Sequence, residues 1–163
     1  DKTGAGMDYI RQETEKLVSY CQGRDVVTVE DVEKVCATQT TSHIFDMISA
    51  IANKKQQQAL DLYYDLLELK EPPMRILYLI VRQFNGILQV KDLMSRGISG
   101  KEIASKIGAA PFVVGKYQAQ AKYFEMNTLL DALNECAKTE EAVKQGRLND
   151  RLGVELIIIK YSK

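Results

Sequence analysis

The pattern of this sequence is that of an all-α protein: a helical bundle preceded by a short helical segment. Three observations lead there. Apolar residues recur at three- and four-residue spacing almost from end to end. Helix punctuation divides that periodicity, with Gly23, Pro72-Pro73, Gly97, Gly108 and Gly146 each standing where one run stops. No stretch alternates apolar and polar residues for long enough to make a half-buried strand.

Taken in order, Ile10, Leu17, Val18 and Cys21 form one face of a first helix that Gly23 stops. After the short extended run at 25–27, Thr28 with Asp31 three residues on makes a capping box for a brief helix through Cys36. Small and polar residues from Thr38 to Ser42 then interrupt the periodicity and place a domain boundary there, dividing the chain into 1–39 and 40–163. Beyond the break Ile44, Met47, Ile48 and Ile51 share a stripe. A helix over 55–69 buries Leu62, Tyr63, Leu66 and Leu67 and ends at Pro72-Pro73, where Pro73 suits the first position of the next. That next helix is apolar nearly all round, through Ile76, Leu77, Ile80, Phe84, Ile87, Val90 and Leu93, until Gly97 closes it. Such a helix belongs at the centre of a bundle, with Phe84 fully buried. Ser99 and Glu102 form a capping box for a helix stopped by Gly108, and Pro111 opens another that reaches Phe124. Asn127 caps a long helix, and Asp150 the last.

Composition narrows the function. A chain of 163 residues buries a real core, and its 22 basic residues balance 22 acidic ones, so the molecule as a whole advertises no anionic partner. Residues 1–39 hold five basic and eight acidic side chains, which leaves a positive balance of three on the remainder. Between Arg82 and Lys122, seven basic residues stand against only Asp92 and Glu102, a bias whose ordinary reading is a solvated face. Cys21, Cys36 and Cys136 are odd in number and lack CxxC spacing, as in buried, reduced thiols of a cytoplasmic protein. His43 alone cannot anchor a metal and reads as a satisfied histidine at a helix start. No apolar run approaches the ~20 residues of a membrane span, and no signal peptide opens the chain. An opening at Asp1 instead of methionine reads as a piece of a longer protein.

Catalytic patterns do not emerge. There is no GxxxxGK[ST] phosphate loop and no nucleophile in a Ser–His or Cys–His setting. The acidic pairs Glu30-Asp31 and Glu140-Glu141 lie on amphipathic helices beside lysines, the setting of ion pairs and solvated faces. The reading is a protein without intrinsic catalysis, cofactor or metal.

Two constellations invite a functional reading. Ala104, Gly108 and Val114 are spaced as in a helix-turn-helix, whose second helix would present Lys116, Gln118, Gln120 and Lys122 to DNA. Lysines would contact phosphates and glutamines would read adenine edges. Phe112, Val113, Tyr117 and Phe124 make that segment more apolar than a groove-facing surface needs, and the strong positive excess of a DNA reader is missing. The second constellation is C-terminal. Glu140 and Lys144 are four apart and can pair, Gly146 stops their helix, and Glu155 stands alone among Val154, Leu156, Ile157, Ile158 and Ile159. A carboxylate there needs a cation, and Lys144 or Arg147 folding back over the turn would lock the last two helices together. In the alternative, these charges point outward to a partner subunit or to DNA phosphates.

The order acid-x-x-x-Lys-x-Gly, Asp, Glu-Leu, carried here by Glu140, Lys144, Gly146, Asp150 and Glu155-Leu156, resembles the C-terminal end of the delta subunits of the bacterial DNA polymerase III clamp loader. Upstream stretches agree in order and spacing: IRQETEKLVSY with VTVEDVEKV, HIFDMISAI, PPMRILYLIVRQFNGILQVKDL, and GISGKEIASKIG with PFVVGKYQAQAKYF. The chain departs at Asn85 and Gly86, where basic or bulky residues are usual, and at Glu140, where aspartate is commoner.

The resemblance implies a lid-domain remnant of the AAA+ type over 1–39 and a helical collar domain over 40–163. It implies a mechanical part in DNA replication: the family opens the sliding clamp for loading onto primed DNA, and the collar domains of its subunits associate in a ring. The clamp-contacting element belongs to an N-terminal domain that this sequence does not contain. ATP hydrolysis belongs to other subunits of the polymerase holoenzyme. Partners are then the other clamp-loader subunits, with primed DNA in the full complex and no membrane. Arg82, Lys116, Lys122, Lys144 and Arg147 are candidate contacts to subunits or DNA, while Phe84, Glu140, Gly146 and Glu155 are structural candidates. A helix-turn-helix regulator is the alternative.

Overall fold

The computed structural model describes residues 7–24, 26–28, 31 and 39–163, and these form eight helices and no strand. The chain divides into two compact units, residues 1–42 and 43–163.

In the first unit, α1 spans Met7–Tyr20. Leu17 is half-buried and Cys21, four residues on, is buried. Val18 does not join them and is 62% exposed, because one residue turns the side chain ~100° around the helix. The side chain of Ile10 lies outside the described residues. Asp31 accepts from the Thr28 amide at 3.0 Å and hydroxyl at 2.8 Å, and the Asp31 amide donates back to Thr28 Oγ1 at 3.2 Å. Those bonds from Thr28, with Arg24 at 3.0 Å, hold the carboxyl of Asp31 down at about 2. The helix expected through Cys36, and Cys36 itself, fall outside the described residues.

The remaining helices are α2 (Gln39–Ala52), α3 (Gln56–Glu68), α4 (Pro73–Ser95), α5 (Gly100–Ile107), α6 (Pro111–Ala121), α7 (Met126–Lys144) and α8 (Asp150–Tyr161). The polar stretch at 39–42 is therefore helical, where the sequence suggested an interruption. Threonine and serine are at home in a first turn, where hydroxyls can serve backbone groups that have no intrahelical partner. His43 sits inside α2 with Nδ1 buried and without a hydrogen-bond partner among the described residues, so it is not the satisfied histidine expected.

α4 is the centre of the second unit and packs against α5, α6, α7 and α8. Ile76, Leu77, Ile80, Phe84, Ile87 and Val90 are buried along it. Phe84 is fully enclosed, its ring edge-on to Phe124 at 5.7 Å and to Tyr161 at 6.4 Å. The helix is nonetheless not apolar on every side. Tyr78, Arg82, Asn85 and Gln89 form one exposed stripe at helical spacing. Around it, α2 buries Ile44, Met47, Ile48 and Ile51, and α3 buries Ala59, Tyr63 and Leu66, with Leu62 and Leu67 only partly covered.

A polar node sits inside this apolar core. Gln83 on α4 donates to Gln120 Oε1 at 2.6 Å, and Gln120 on α6 donates to the Phe45 carbonyl at 2.9 Å and Ser49 Oγ at 2.8 Å on α2. Every amide in it has a partner, so the node fixes the mutual register of three helices without stranding a buried polar group. Gly86 allows the closeness of α4 and α6, since a Cβ there would meet the Tyr117 ring at 2.5 Å. That contact gives a physical reason for glycine at a position where the resemblance led to the expectation of a basic or bulky residue.

Helix starts differ from expectation at two places. α7 begins at Met126 with Glu125 as its N-cap residue, two residues before Asn127. At α8 the cap is Asn149, whose side chain accepts from the Leu152 amide at 3.1 Å, and Asp150 occupies the first helical position. Asparagine caps as well as aspartate, and the carboxylate one residue later still favours the positive end of the helix. The box at α5 is as expected: Glu102 accepts from the Ser99 amide at 3.3 Å and hydroxyl at 3.2 Å, and Gly108 ends the helix at φ +64°.

Candidate functional site

The C-terminal hairpin is built from α7, a tight turn and α8. Gly146 takes φ +70°, a conformation that glycine adopts without strain, and Arg147 N then donates to Ala142 O at 2.8 Å to close the helix end. Asn149 restarts the chain. The two helices approach closely at Gly153, where a Cβ would lie 2.8 Å from Thr139 Cγ2 and 3.2 Å from Leu148.

The charges arrange themselves differently from the lock that the sequence suggested. Lys144 pairs with Glu140 on its own helix at 2.6 Å, both side chains largely exposed. Arg147 lies 4.0 Å from Glu141, again on the α7 side. Neither reaches Glu155. Its carboxylate accepts from the Tyr64 hydroxyl on α3 at 3.0 Å, with Arg151 one turn before it at 3.9 Å. The reason is rotation: Gly153 faces α7, and two residues further on the side chain points ~200° away, toward α3. The hydrogen bond to this carboxylate raises the pKa of Tyr64, and the Arg151 guanidinium lies 5.6 Å from the Tyr64 ring centre. Next to this pair Tyr63 donates from its hydroxyl to the Arg151 carbonyl at 3.0 Å, which fastens α3 to α8 from the core side.

What does join α7 to α8 lies at the far end of the hairpin. Lys160 Nζ sits 3.3 Å from Asp131 and 3.2 Å from Glu135, and Lys138 holds Glu135 at 2.8 Å. Tyr161 donates to Asp131 at 2.6 Å. The bond from Tyr161, followed by that from Lys160, lowers the pKa of Asp131, and Lys138 leads the lowering at Glu135. The sequence reading missed this cluster. Its signal was the pair Asp131 and Glu135 on one helix face, but only the hairpin register places Lys160 opposite them.

The remaining basic candidates lie on α4 and α6, away from the hairpin turn. Arg82 is exposed on the α4 stripe, Lys116 is exposed with Nζ 4.5 Å from the Phe45 ring centre, and Lys122 is exposed at the end of α6. Gln120, which a DNA-reading helix would have to present, is 6% exposed and committed to the buried node. Val114, Tyr117 and Ala121 are buried beside it. A helix that spends this face on its own core has little left to read a groove.

Cys136 is buried, and burial pushes its thiol up to about 12, as in an inert core residue. No group of His, Cys, Asp or Glu among the described residues is arranged to hold a metal ion. No helix among them is long and apolar enough to cross a membrane.

Residues 41–161, which include α3 to α8 and their shared core, match the family model of the DNA polymerase III delta subunit, C-terminal domain. The chain belongs to this family. It is 33% identical over 154 residues to the DNA polymerase III subunit delta of Bacillus subtilis (strain 168), covering 94% of this chain and 44% of that protein. The solved structure of the Bacillus subtilis DNA clamp loader delta protein superposes with a TM-score of 0.75 at 32% identity, covering 96% of this chain and 46% of that one. The chain thus spans just under half the length of the delta proteins it matches. The helix-turn-helix alternative is not favoured: the pair α5–α6 is a hairpin within a delta-family bundle.

Proposed function

We propose that this chain is the collar region of a clamp-loader delta subunit, and that it serves DNA replication by holding that subunit among its neighbours while the sliding clamp is loaded onto primed DNA. The observation that carries this reading is the agreement in fold and sequence with the clamp loader delta protein over nearly the whole chain. Residues 1–39 are read as the end of a lid domain and 40–163 as the collar domain. Contact with the clamp falls to an N-terminal domain, and ATP hydrolysis to other subunits, so the chain performs no catalysis of its own. Arg82 on α4, Lys116 on α6 and Lys122 at its end, together with Lys144 and Arg147 at the hairpin turn, are its candidate contacts to subunits or DNA phosphates. All five are exposed, and none of the first three has an acidic partner among the ion pairs described.

Size-exclusion chromatography with the other clamp-loader subunits tests the reading. Co-elution is expected, together with no affinity of the isolated chain for duplex DNA. Separate elution combined with salt-dependent duplex binding would instead favour a DNA-binding regulator.

A further inference from the structure

The last helix carries a surface that its own unit leaves uncovered. α8 combines a core face with aliphatic residues on the opposite side, a composition that suits a helix covered all round. Gly153, Val154, Ile157, Ile158 and Tyr161 are buried. Glu155 turns to Tyr64 on α3, and Lys160 turns to Asp131 and Glu135 on α7. At ~100° per residue, Leu152, Leu156 and Ile159 fall between those two flanks, on the side away from the core. Leu152 is 46% exposed and Leu156 49%, and Ile159 is half-buried. The flanking charges are matched within the chain: Lys160 by Asp131 and Glu135, Lys138 by Glu135, and Glu155 by Tyr64 and Arg151. The charges that flank the stripe along α8 are therefore answered within the chain, and an apolar, uncharged helix face is its complement.

Resting on the clamp-loader reading above, we propose that Leu152, Leu156 and Ile159 seat an apolar helix of a neighbouring subunit in the same clamp loader. The available area selects this occupant over a second copy of the chain. A helix of 12 residues is ~18 Å long, and three of its side chains cover far less than the roughly 1,200 Å² of a self-sufficient interface. A second copy held by this stripe alone would not stay bound. A neighbour that is also held by contacts elsewhere in an assembly would.

The test uses the full-length subunit in three forms: wild type, Leu156→Glu, and Val18→Glu as a control at an exposed apolar residue on α1 (62% exposed). Binding to the remaining clamp-loader subunits is measured beside thermal melting and solution mass. A charge forced into a desolvated seat should weaken binding by more than about tenfold, while the control binds as wild type does and all three melt alike. If melting moves, the uncharged Leu156→Gln is read in the same way. Wild-type affinity in Leu156→Glu would overturn the seat and leave the clamp-loader reading intact. A wild-type protein that does not join the other subunits would overturn that reading itself. A wild-type dimer that Leu156→Glu abolishes would make the occupant a second copy, contrary to the proposal.

Discussion

α4 and α8 carry similar sequences and live differently. Both are rich in isoleucine, leucine and valine around most of their circumference. α4 lies among four other helices, and along its middle the side it shows to solvent is Tyr78, Arg82, Asn85 and Gln89, with Arg75 exposed near its start and Met94 and Ser95 near its end. α8 packs on α3, α4 and α7, and the side it shows is Leu152, Leu156 and Ile159. The central helix is thus largely finished by its own chain, with mostly polar residues where packing stops and with Tyr78 and Met94 as its exposed apolar side chains. The last helix is left with aliphatic residues where its packing stops. The difference separates a helix whose apolar residues serve folding from one whose apolar residues exceed what folding uses.

The sharpest way to break this comparison is at Phe84. Its ring is fully enclosed and touches two other rings, so Phe84→Ala should cost ~3–5 kcal/mol in urea or thermal unfolding. A loss below about 1 kcal/mol would mean that α4 is not the packing centre.

Next in size is the contact between α7 and α8. Gly153→Ala should cost about 1 kcal/mol net, because the strain of a methyl group against Thr139 exceeds the gain in helix propensity. Thr139→Ser removes the opposing methyl, and in that background the same substitution should become neutral or stabilising. A cost that persists there would locate the strain elsewhere.

Glu155→Gln comes third, at less than about 1 kcal/mol, since its partners are the exposed Tyr64 hydroxyl and a distant Arg151. Its melting curve should respond equally whether Lys144 is present or replaced by alanine. Coupling between Lys144 and Glu155 in a double-mutant cycle would restore the interhelical lock that the geometry argues against.

Leu156→Ala should have the smallest effect, within about 0.5 kcal/mol on folding of the isolated chain. Set beside Phe84→Ala, it measures the contrast between the two helices directly. A loss as large as that at a core leucine would show that the stripe is covered within the chain and has no vacancy for a partner.

Much of this was legible in the residues. The helices between Pro73 and Ile107 follow from signals local to the chain: a proline that cannot donate at a first position, a Ser-x-x-Glu box, and a glycine in the left-handed conformation at Gly108. The burial of Phe84 follows from the density of apolar residues around it. What misled was anything set by rotation or register. Val18 and Leu17 are neighbours in sequence and face different ways. The helix-turn-helix alternative made Gln120 a solvent-facing glutamine, and nothing local announces that Gln83, Phe45 and Ser49 converge on it. Asn149 and Asp150 are both good caps, and the choice between them depends on where the turn after Gly146 lets the helix begin.

The same division holds for the candidate site. By itself the sequence determined an all-helical chain, its central helix, the α7–α8 turn at Gly146 and the likeness to the delta family, because each rests on residues close together along the chain. Only the tertiary structure decided that Glu155 answers to Tyr64 and not to Lys144, that Lys160 bridges Asp131 and Glu135, and that Leu152, Leu156 and Ile159 face outward. A helix turns each side chain by ~100° from the last, so which neighbour a residue meets depends on how three helices pack around it. No pattern within one helix fixes that.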